Sequence, residues 1–484
     1  MEYEDIPKYI KRYSFDSKMR ACYKYSIALI EFLAVKHPTE WSKQILPWEL
    51  ETFLLFAVNF KEYQDIDILQ NNERRYKEFI NAIRKKAPNE QIISQGKDKT
   101  RDLIMMHLAL IQFELQESKL YKYYRFNYFF SYENSAKDIN MKESFFTKFG
   151  VYYNEVWSFG LKLNAILSIQ RGFNTITEQL VQQYIKVMPL LTITRNQYRD
   201  LLSIYSKNIN DYEFCLRPSY SYLFIEDEIG GVYMPLPHLL YRATTSSLLY
   251  RLTDSNLPLK DKIGRYLIQD YLESILIASK AYEEVVPEKK YKSNGTDCDT
   301  PDVMLRAGSS FLFFESKSTV PPMKMRIFDE AARKEHVCRL GIAVDQLYKQ
   351  LKKFIDGEFN FFIDTQVGQV DQSHVWGVVT VLEESYVSRE EIYDEFTRIS
   401  KITKESEIFK WVISHIKIIS LYDVEKFSFI GESIIGELEK IEDDKNPYEY
   451  ALMSSPAGTI INPDVLAFKK NIKKRIGELK SEIK

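Results

Sequence analysis

The 484-residue chain is poor in cysteine (four) and histidine (six). Cys22, Cys215, Cys298 and Cys338 are scattered along it, and no two stand at CxxC spacing. That argues against a structural zinc site and against a disulfide framework. Free thiols in a reducing cytoplasm are the simplest reading. Scarce histidine gives little support to histidine-based hydrolysis. The chain also lacks an excess of positive charge. Its formal net charge is −2, whereas chains that bind nucleic acid often carry surplus Lys and Arg. Any nucleic-acid surface must then be a local patch, a constraint that weighs less on an enzyme, which needs only a charged channel at its site. Long apolar runs are missing too. The most apolar stretches, 26–35, 53–58 and 103–113, are too short to span a bilayer and have charges close by. The opening MEYEDIPKYIKRYSF holds no apolar signal core. No GxxxxGK[ST], GxSxG or HExxH motif occurs.

What is present is aromatic. Tyr (33) and Phe (30) are frequent, and each buries much area. Hydrophobic residues at 45% and charged residues at 28% describe an ordinary soluble globular protein. The length suggests about two to four domains. An α+β multidomain chain is expected: a mostly helical N-terminal region (1–205), a strand-rich connecting segment (206–258), an α/β core with a mixed sheet flanked by helices (259–445), and a tail with a basic amphipathic helix (446–484).

In the first region, residues 19–37, 48–60 and 101–116 have apolar residues at helical spacing, and no repeat of fixed period. The run KLYKYYRFNYFFSYENS (119–135) interleaves aromatics with Lys119, Lys122 and Arg125. It is either a core element or a platform for bases and phosphates. Residues 212–240 have short apolar runs broken by proline and by Gly230–Gly231, which suits a hairpin turn, and a helix follows at 238–252. Strands are expected at 301–306, 311–317, 374–382 and 415–421. Helices are expected at 260–280, 341–356, 388–400 and 404–413. Strands alternating with helices imply an α/β sandwich. In AFKKNIKKRIGELKSEIK (467–484), Ile472, Ile476, Leu479 and Ile483 form one stripe. Three roles are open to that helix: packing on the body, pairing with another copy, or touching a phosphate backbone.

The chemistry is concentrated in TDCDTPDVMLRAGSSFLFFESKSTVPP (296–322). A polar loop leads to Pro301-Asp302, an apolar strand follows, and after a small turn a second apolar strand runs into Glu315-Ser316-Lys317. If residues 307–310 make the turn, Arg306 opposes Phe311 and Asp302 falls opposite Glu315. Directly opposed residues have Cβ atoms about 4.5–5.5 Å apart, and alternation puts Glu315 and Lys317 on one face. A slip of one residue would break the alignment. Two facing carboxylates suit a divalent cation. Mg²⁺ takes oxygen ligands and is often held by one or two carboxylates plus substrate phosphate. A lysine beside it can orient water or stabilise phosphate charge.

This arrangement resembles the PD-(D/E)xK superfamily of restriction-endonuclease-like nucleases. The resemblance implies that Asp302 and Glu315 bind Mg²⁺ (or Mn²⁺) and that Lys317 assists the attacking water. It further implies a cytoplasmic endonuclease acting on DNA, with RNA possible. The helix KIGRYLIQDYLESIL (262–276) resembles the superfamily's first helix, where Gln269 stands in place of an acid and Glu273, one turn on, is positioned to replace it. VDQLYKQLKKF (344–354) resembles the helix after the core strands, with Gln346, Gln350 and Lys353 on one stripe and Gln346 a candidate site residue. HVWGVVTVLEE (374–384) resembles the fourth strand. The pattern over 210–430 also resembles large bacterial phage-defence nucleases. A homo-oligomer or a partner protein is expected, since one such site cuts one strand, and the short apolar runs lead to no expected membrane contact. The alternative is a catalytically degenerate nuclease fold serving as a binding or scaffold subunit. His336 and Cys338 in EHVCR form a lone His/Cys pair with no second pair nearby, and Asp297 and Asp299 read as loop-forming acids.

Overall fold

The computed structural model describes residues 1–33, 44–70, 73–86, 106, 117–169, 178–213, 215–254, 256–293, 295–318, 320–322, 324–325, 329–363, 370–440 and 458–483. The helix expected at 101–116 lies outside them except for Met106, as does the loop expected at 446–447.

Helices Phe15–Leu33, Pro47–Asn59 and Arg74–Arg84 close an N-terminal core through Met19, Leu50, Phe53, Phe56 and Phe79. Pro47 begins its helix where a missing N–H is harmless. The strand-rich segment joins this same core. Thr192–Thr194 pairs in parallel with Phe224–Glu226, which pairs antiparallel with Val232–Tyr233 across the Gly230–Gly231 turn. The sheet therefore recruits a strand from before residue 206, and Ile193, Ile225 and Tyr233 pack with the helices. The single helix expected at 238–252 is broken into Leu240–Ala243 and Ser246–Thr253. The hydroxyls of Thr244 and Thr245 donate to the carbonyls of Leu240 and Tyr241, local bonds that compete with helix continuation.

The C-terminal half is built on a five-stranded mixed sheet. In chain order the elements are β1 (Glu284–Pro287), a hairpin of β2 (Lys290–Ser293) and β3 (Thr296–Asp299), then β4 (Val303–Ala307), β5 (Ser310–Lys317), β6 (Val375–Val381) and β7 (Ile416–Ser420). The sheet order is β7-β6-β5-β4-β1. β5, β6 and β7 run parallel, while β4 is antiparallel to both β5 and β1. Both faces are covered, so these strands are continuous apolar runs rather than alternating ones. Helix α1 (Lys119–Ser131) packs through Tyr128 and Phe129 on Tyr271 of helix α2 (Ile268–Ser279), and α2 covers the face carrying Val303, Leu305, Leu312 and Phe314. The long helix α3 (Glu330–Ile355) covers the face with Met304, Phe311 and Phe313, and α4 (Arg389–Ser400) packs on α3. Gly377 of β6 lets α3 in: a Cβ there would stand 2.8 Å from Leu351 and 3.0 Å from Leu347. α5 (Leu421–Ser428) follows β7 and lies against α2.

The aromatic run at 119–135 is a core element. Tyr123, Phe126, Phe129 and Phe130 are buried, and Arg125 is fully engaged with Glu425 of α5 at 2.7 and 2.8 Å. The basic tail is helix α6 (Pro463–Ile483), docked on the body. Ile472, Ile476 and Leu479 pack with Leu161 and Ala165, which fits the first of its three expected roles. No helix among the described residues is long and apolar enough to cross a membrane.

Candidate functional site

The register of β4 and β5 decides the site. Arg306 lies opposite Phe311 and Val303 opposite Phe314, as the four-residue turn requires. One step further, Asp302 falls beside the Glu315–Ser316 peptide. Its Oδ2 accepts from the Ser316 backbone N–H and from the Ser316 hydroxyl, both at 2.6 Å. Asp302 is thereby pinned to the far end of β5 without being part of the ladder. Glu315 and Lys317 keep the parity of Phe311 and Phe313 and so face α3. Lys317 Nζ donates to Glu315 Oε1 at 2.6 Å and to Gln346 Oε1 of α3 at 3.1 Å.

The rest of the α3 stripe also meets this region. Gln350 Nε2 reaches the Asp299 carbonyl at 3.4 Å, and Lys353 Nζ reaches Cys298 Sγ at 3.4 Å. The polar loop expected at 296–300 is instead strand β3, with Asp299 opposite Lys290 and Asp297 opposite Lys292. Asp297 and Asp299 are thus ladder residues, not loop formers. The hairpin base is tied to the site by Thr300 N to Lys289 O and Glu288 N to Asp302 O, both 2.9 Å.

The helix before the hairpin is longer and less regular than its sequence suggests. Leu257–Lys262 runs through a π-helical turn, Ile263–Leu267, into α2. Gly264 in that turn abuts the end of β5: a Cβ there would lie 2.5 Å from Ser318 Oγ and 3.1 Å from Ser318 Cβ. Buried Gln269 donates from Nε2 to Glu288 Oε2 at 3.3 Å and to the Asp302 carbonyl at 3.4 Å. It holds backbone and a neighbouring carboxylate where an acid was sought. Among the described residues Glu273 makes no hydrogen bond or ion pair with Asp302, Glu315 or Lys317. Its carboxyl is raised by burial and by Asp270, and lowered by Lys137 and Lys289. The acid that does stand near Asp302 is Glu288, which no motif flags because it sits between two strands that carry little apolar signal.

The electrostatics follow from this crowding. Burial, and then the Glu315 carboxylate, push Asp302 up to about 6, against the Ser316 hydrogen bonds and the Lys317 charge. Glu288 is also raised, first by burial and then by Asp302 and Asp299, with the Gln269 bond opposing. Such a site has more negative charge than its own groups neutralise. Asp302 Oδ1 and Glu315 Oε2 accept no hydrogen bond among the described residues. These hard oxygen donors fit a cation such as Mg²⁺. Among the described residues no group of three or more His, Cys, Asp or Glu side chains is arranged to hold a metal, so protein ligation would be by two carboxylates, completed by water and substrate. His336 and Cys338 belong to no such group. His336 is buried in α3. A cavity of about 290 Å³ opens beyond Ser318, walled by Val320, Pro321, Pro322, Leu382 and Ile263.

No protein-family model, no curated protein and no solved structure matches the chain.

Proposed function

We propose that the α/β unit is a nucleic-acid phosphodiesterase that uses Mg²⁺ or Mn²⁺, with Asp302 and Glu315 as its metal ligands. The observation that carries this reading is the register that sets Asp302 beside Glu315, with Lys317 on the same strand end. When bound, the cation supplies Lewis acidity at a phosphoryl oxygen and lowers the pKa of water. The chain's own groups do the positioning. Ser316 fixes one oxygen of Asp302 and leaves the other open. Glu315 and Gln346 hold the Lys317 ammonium, which can donate to a phosphoryl oxygen or orient water. Hydrolysis then forms a bond from the water oxygen to phosphorus and breaks the bond to the leaving oxygen, which takes a proton.

DNA is the proposed substrate, by the resemblance to restriction-endonuclease-like enzymes, and a role in phage defence or restriction follows from the same resemblance. One such centre cuts one strand, so duplex cleavage calls for a second copy or a partner protein. The second reading, a degenerate nuclease fold serving as a scaffold subunit, is favoured by one observation: the neutral amide of Gln269 occupies the position of the expected acid.

The test is cleavage of plasmid DNA, and of RNA in parallel, by wild type, Lys317→Ala and Asp302→Asn, with Mg²⁺, Mn²⁺ or EDTA. Cutting by wild type alone, abolished by EDTA, is expected, with a loss of at least about 100-fold in either variant. Equal cutting by all three proteins refutes the proposed centre. No cutting, together with no calorimetric Mn²⁺ binding that depends on Asp302, favours the scaffold.

A further inference from the structure

The proposed centre accounts for Lys317 but leaves a second cation unused. Arg265 lies in the π-helical turn, one residue after Gly264, whose backbone touches Ser318 at the end of β5. Four residues on, Gln269 is aimed at the Asp302 carbonyl and at Glu288. Arg265 lies in the wide turn between these two contacts, so its backbone is held at the same end of the sheet. It is exposed, and among the described residues it forms no ion pair; its recorded contact is with the adjoining Tyr266 ring. Its charge is felt at Glu288, where it lowers the carboxyl against burial. Lys289, also exposed and without an ion pair among the described residues, stands at the neighbouring hairpin base.

Like Arg12 and Arg251, Arg265 is a guanidinium without an acid partner among the described residues, but it alone of the three has its charge felt at Glu288 beside Asp302. A guanidinium presents a planar fork of donors that fits a phosphate with two parallel bonds. π-turns displace side chains from the regular helical path and recur at functional sites.

We propose that Arg265 is a positioning residue for the nucleic-acid substrate. Its guanidinium receives a backbone phosphate next to the one addressed by Asp302 and Glu315, from the sheet face opposite Gln346. Lys289 extends the same cationic rim. The assignment rests on the phosphodiesterase reading, but it concerns binding and is tested without turnover.

The experiment measures the affinity of full-length protein for a short fluorescent DNA duplex in EDTA, across a salt series. Arg265→Ala is compared with Arg265→Lys and with Lys470→Ala, which removes one exposed charge from α6. Arg265→Ala is expected to weaken binding about tenfold and to reduce the slope of log affinity against log salt by about 1. Arg265→Lys should keep most of the slope, and Lys470→Ala should leave both unchanged. Binding by Arg265→Ala equal to wild type, or a loss no greater than in Lys470→Ala, overturns the assignment, as does a wild type that does not bind. Binding that depends on Arg265 in a protein that never cleaves supports the contact while refuting the phosphodiesterase. Cleavage by wild type with Arg265→Ala binding normally refutes the contact alone.

Discussion

The carboxylate of Glu425 is the point where three helices are joined, and its charge can be removed almost without changing its shape. Arg125 of α1 donates to both of its oxygens, and the Tyr271 hydroxyl of α2 donates to Oε1 at 2.7 Å. Arg125 and Glu425 are at most 1% exposed at the side chain. Burial lowers the guanidinium and Glu425 holds it up, and its intrinsic basicity is high enough that it keeps its charge when the partner is lost. Glu425→Gln therefore leaves a buried cation facing a neutral amide. Breaking a buried pair on one side costs about 3–5 kcal/mol. For a unit of about 150–250 residues each kcal/mol moves the midpoint by about 2–4 °C, so calorimetry should show the unfolding temperature lowered by roughly 6–20 °C. Replacing the partners with apolar residues, as in Arg125→Met with Glu425→Leu and Tyr271→Phe, should recover part of the loss because the buried cation is removed, while Glu117, 3.9 Å from Arg125, loses its partner. A Glu425→Gln midpoint within about 2 °C of wild type would refute the reasoning, since it would mean that water reaches the pair.

Two further tests concern groups nearer the candidate centre. His336 in α3 is 2% exposed, its Nε2 has no hydrogen-bond partner among the described residues, and burial pushes it down to about 4. A depressed histidine is neutral in the fold and takes a proton in the unfolded chain. Its contribution is therefore complete above about pH 6.5 and lost as pH falls towards 4, by about 3 kcal/mol in all. His336→Gln should flatten the stability profile over that window in urea titrations, and an unchanged slope would contradict the assignment. Gly264→Ala should destabilise by about 1–3 kcal/mol through overpacking against Ser318. Adding Ser318→Gly should restore the loss, and a double variant no better than the single would show that the strain lies elsewhere.

Much of the sheet is legible in the sequence, for reasons that also explain what is not. β5, β6 and β7 are buried on both faces, so they appear as apolar runs that no exposed helix would carry, and the short turn at Gly308 fixes the β4–β5 register. The stripe of Gln346, Gln350 and Lys353 is readable because Leu347 and Leu351 define the opposite, buried side of α3. β2 and β3 escape because their exposed residues, in KYKS and TDCD, carry little apolar signal. Asn294-Gly295 between them is the clue, a dipeptide favoured in two-residue hairpin turns. The first eleven residues of α3 are missed because Gly341 looks like a boundary. In the fold that glycine faces Glu395 of α4, which a Cβ would approach to 2.8 Å, so it marks close packing of two helices rather than an end. Glu288 has no local signature. Its place depends on a hydrogen bond to Asp302 that exists only once the hairpin has formed.

The π-turn at Ile263–Leu267 has a consequence for how this site tolerates insertion and deletion. In a regular α-helix, residues five apart point about 140° away from each other. A π-turn, in which a backbone N–H bonds five residues back, brings such residues nearly into line. Gly264 and Gln269 are five apart, and both must face the same strand ends, one against Ser318 and the other against Asp302. The wide turn thus acts as a phase shift of one residue written into the backbone. Removing one residue from this turn would leave the two residues four apart in a regular helix and still on one side, whereas closing the turn to α geometry with all its residues kept would forfeit one of the two contacts, although every side chain named in the candidate centre would still be present.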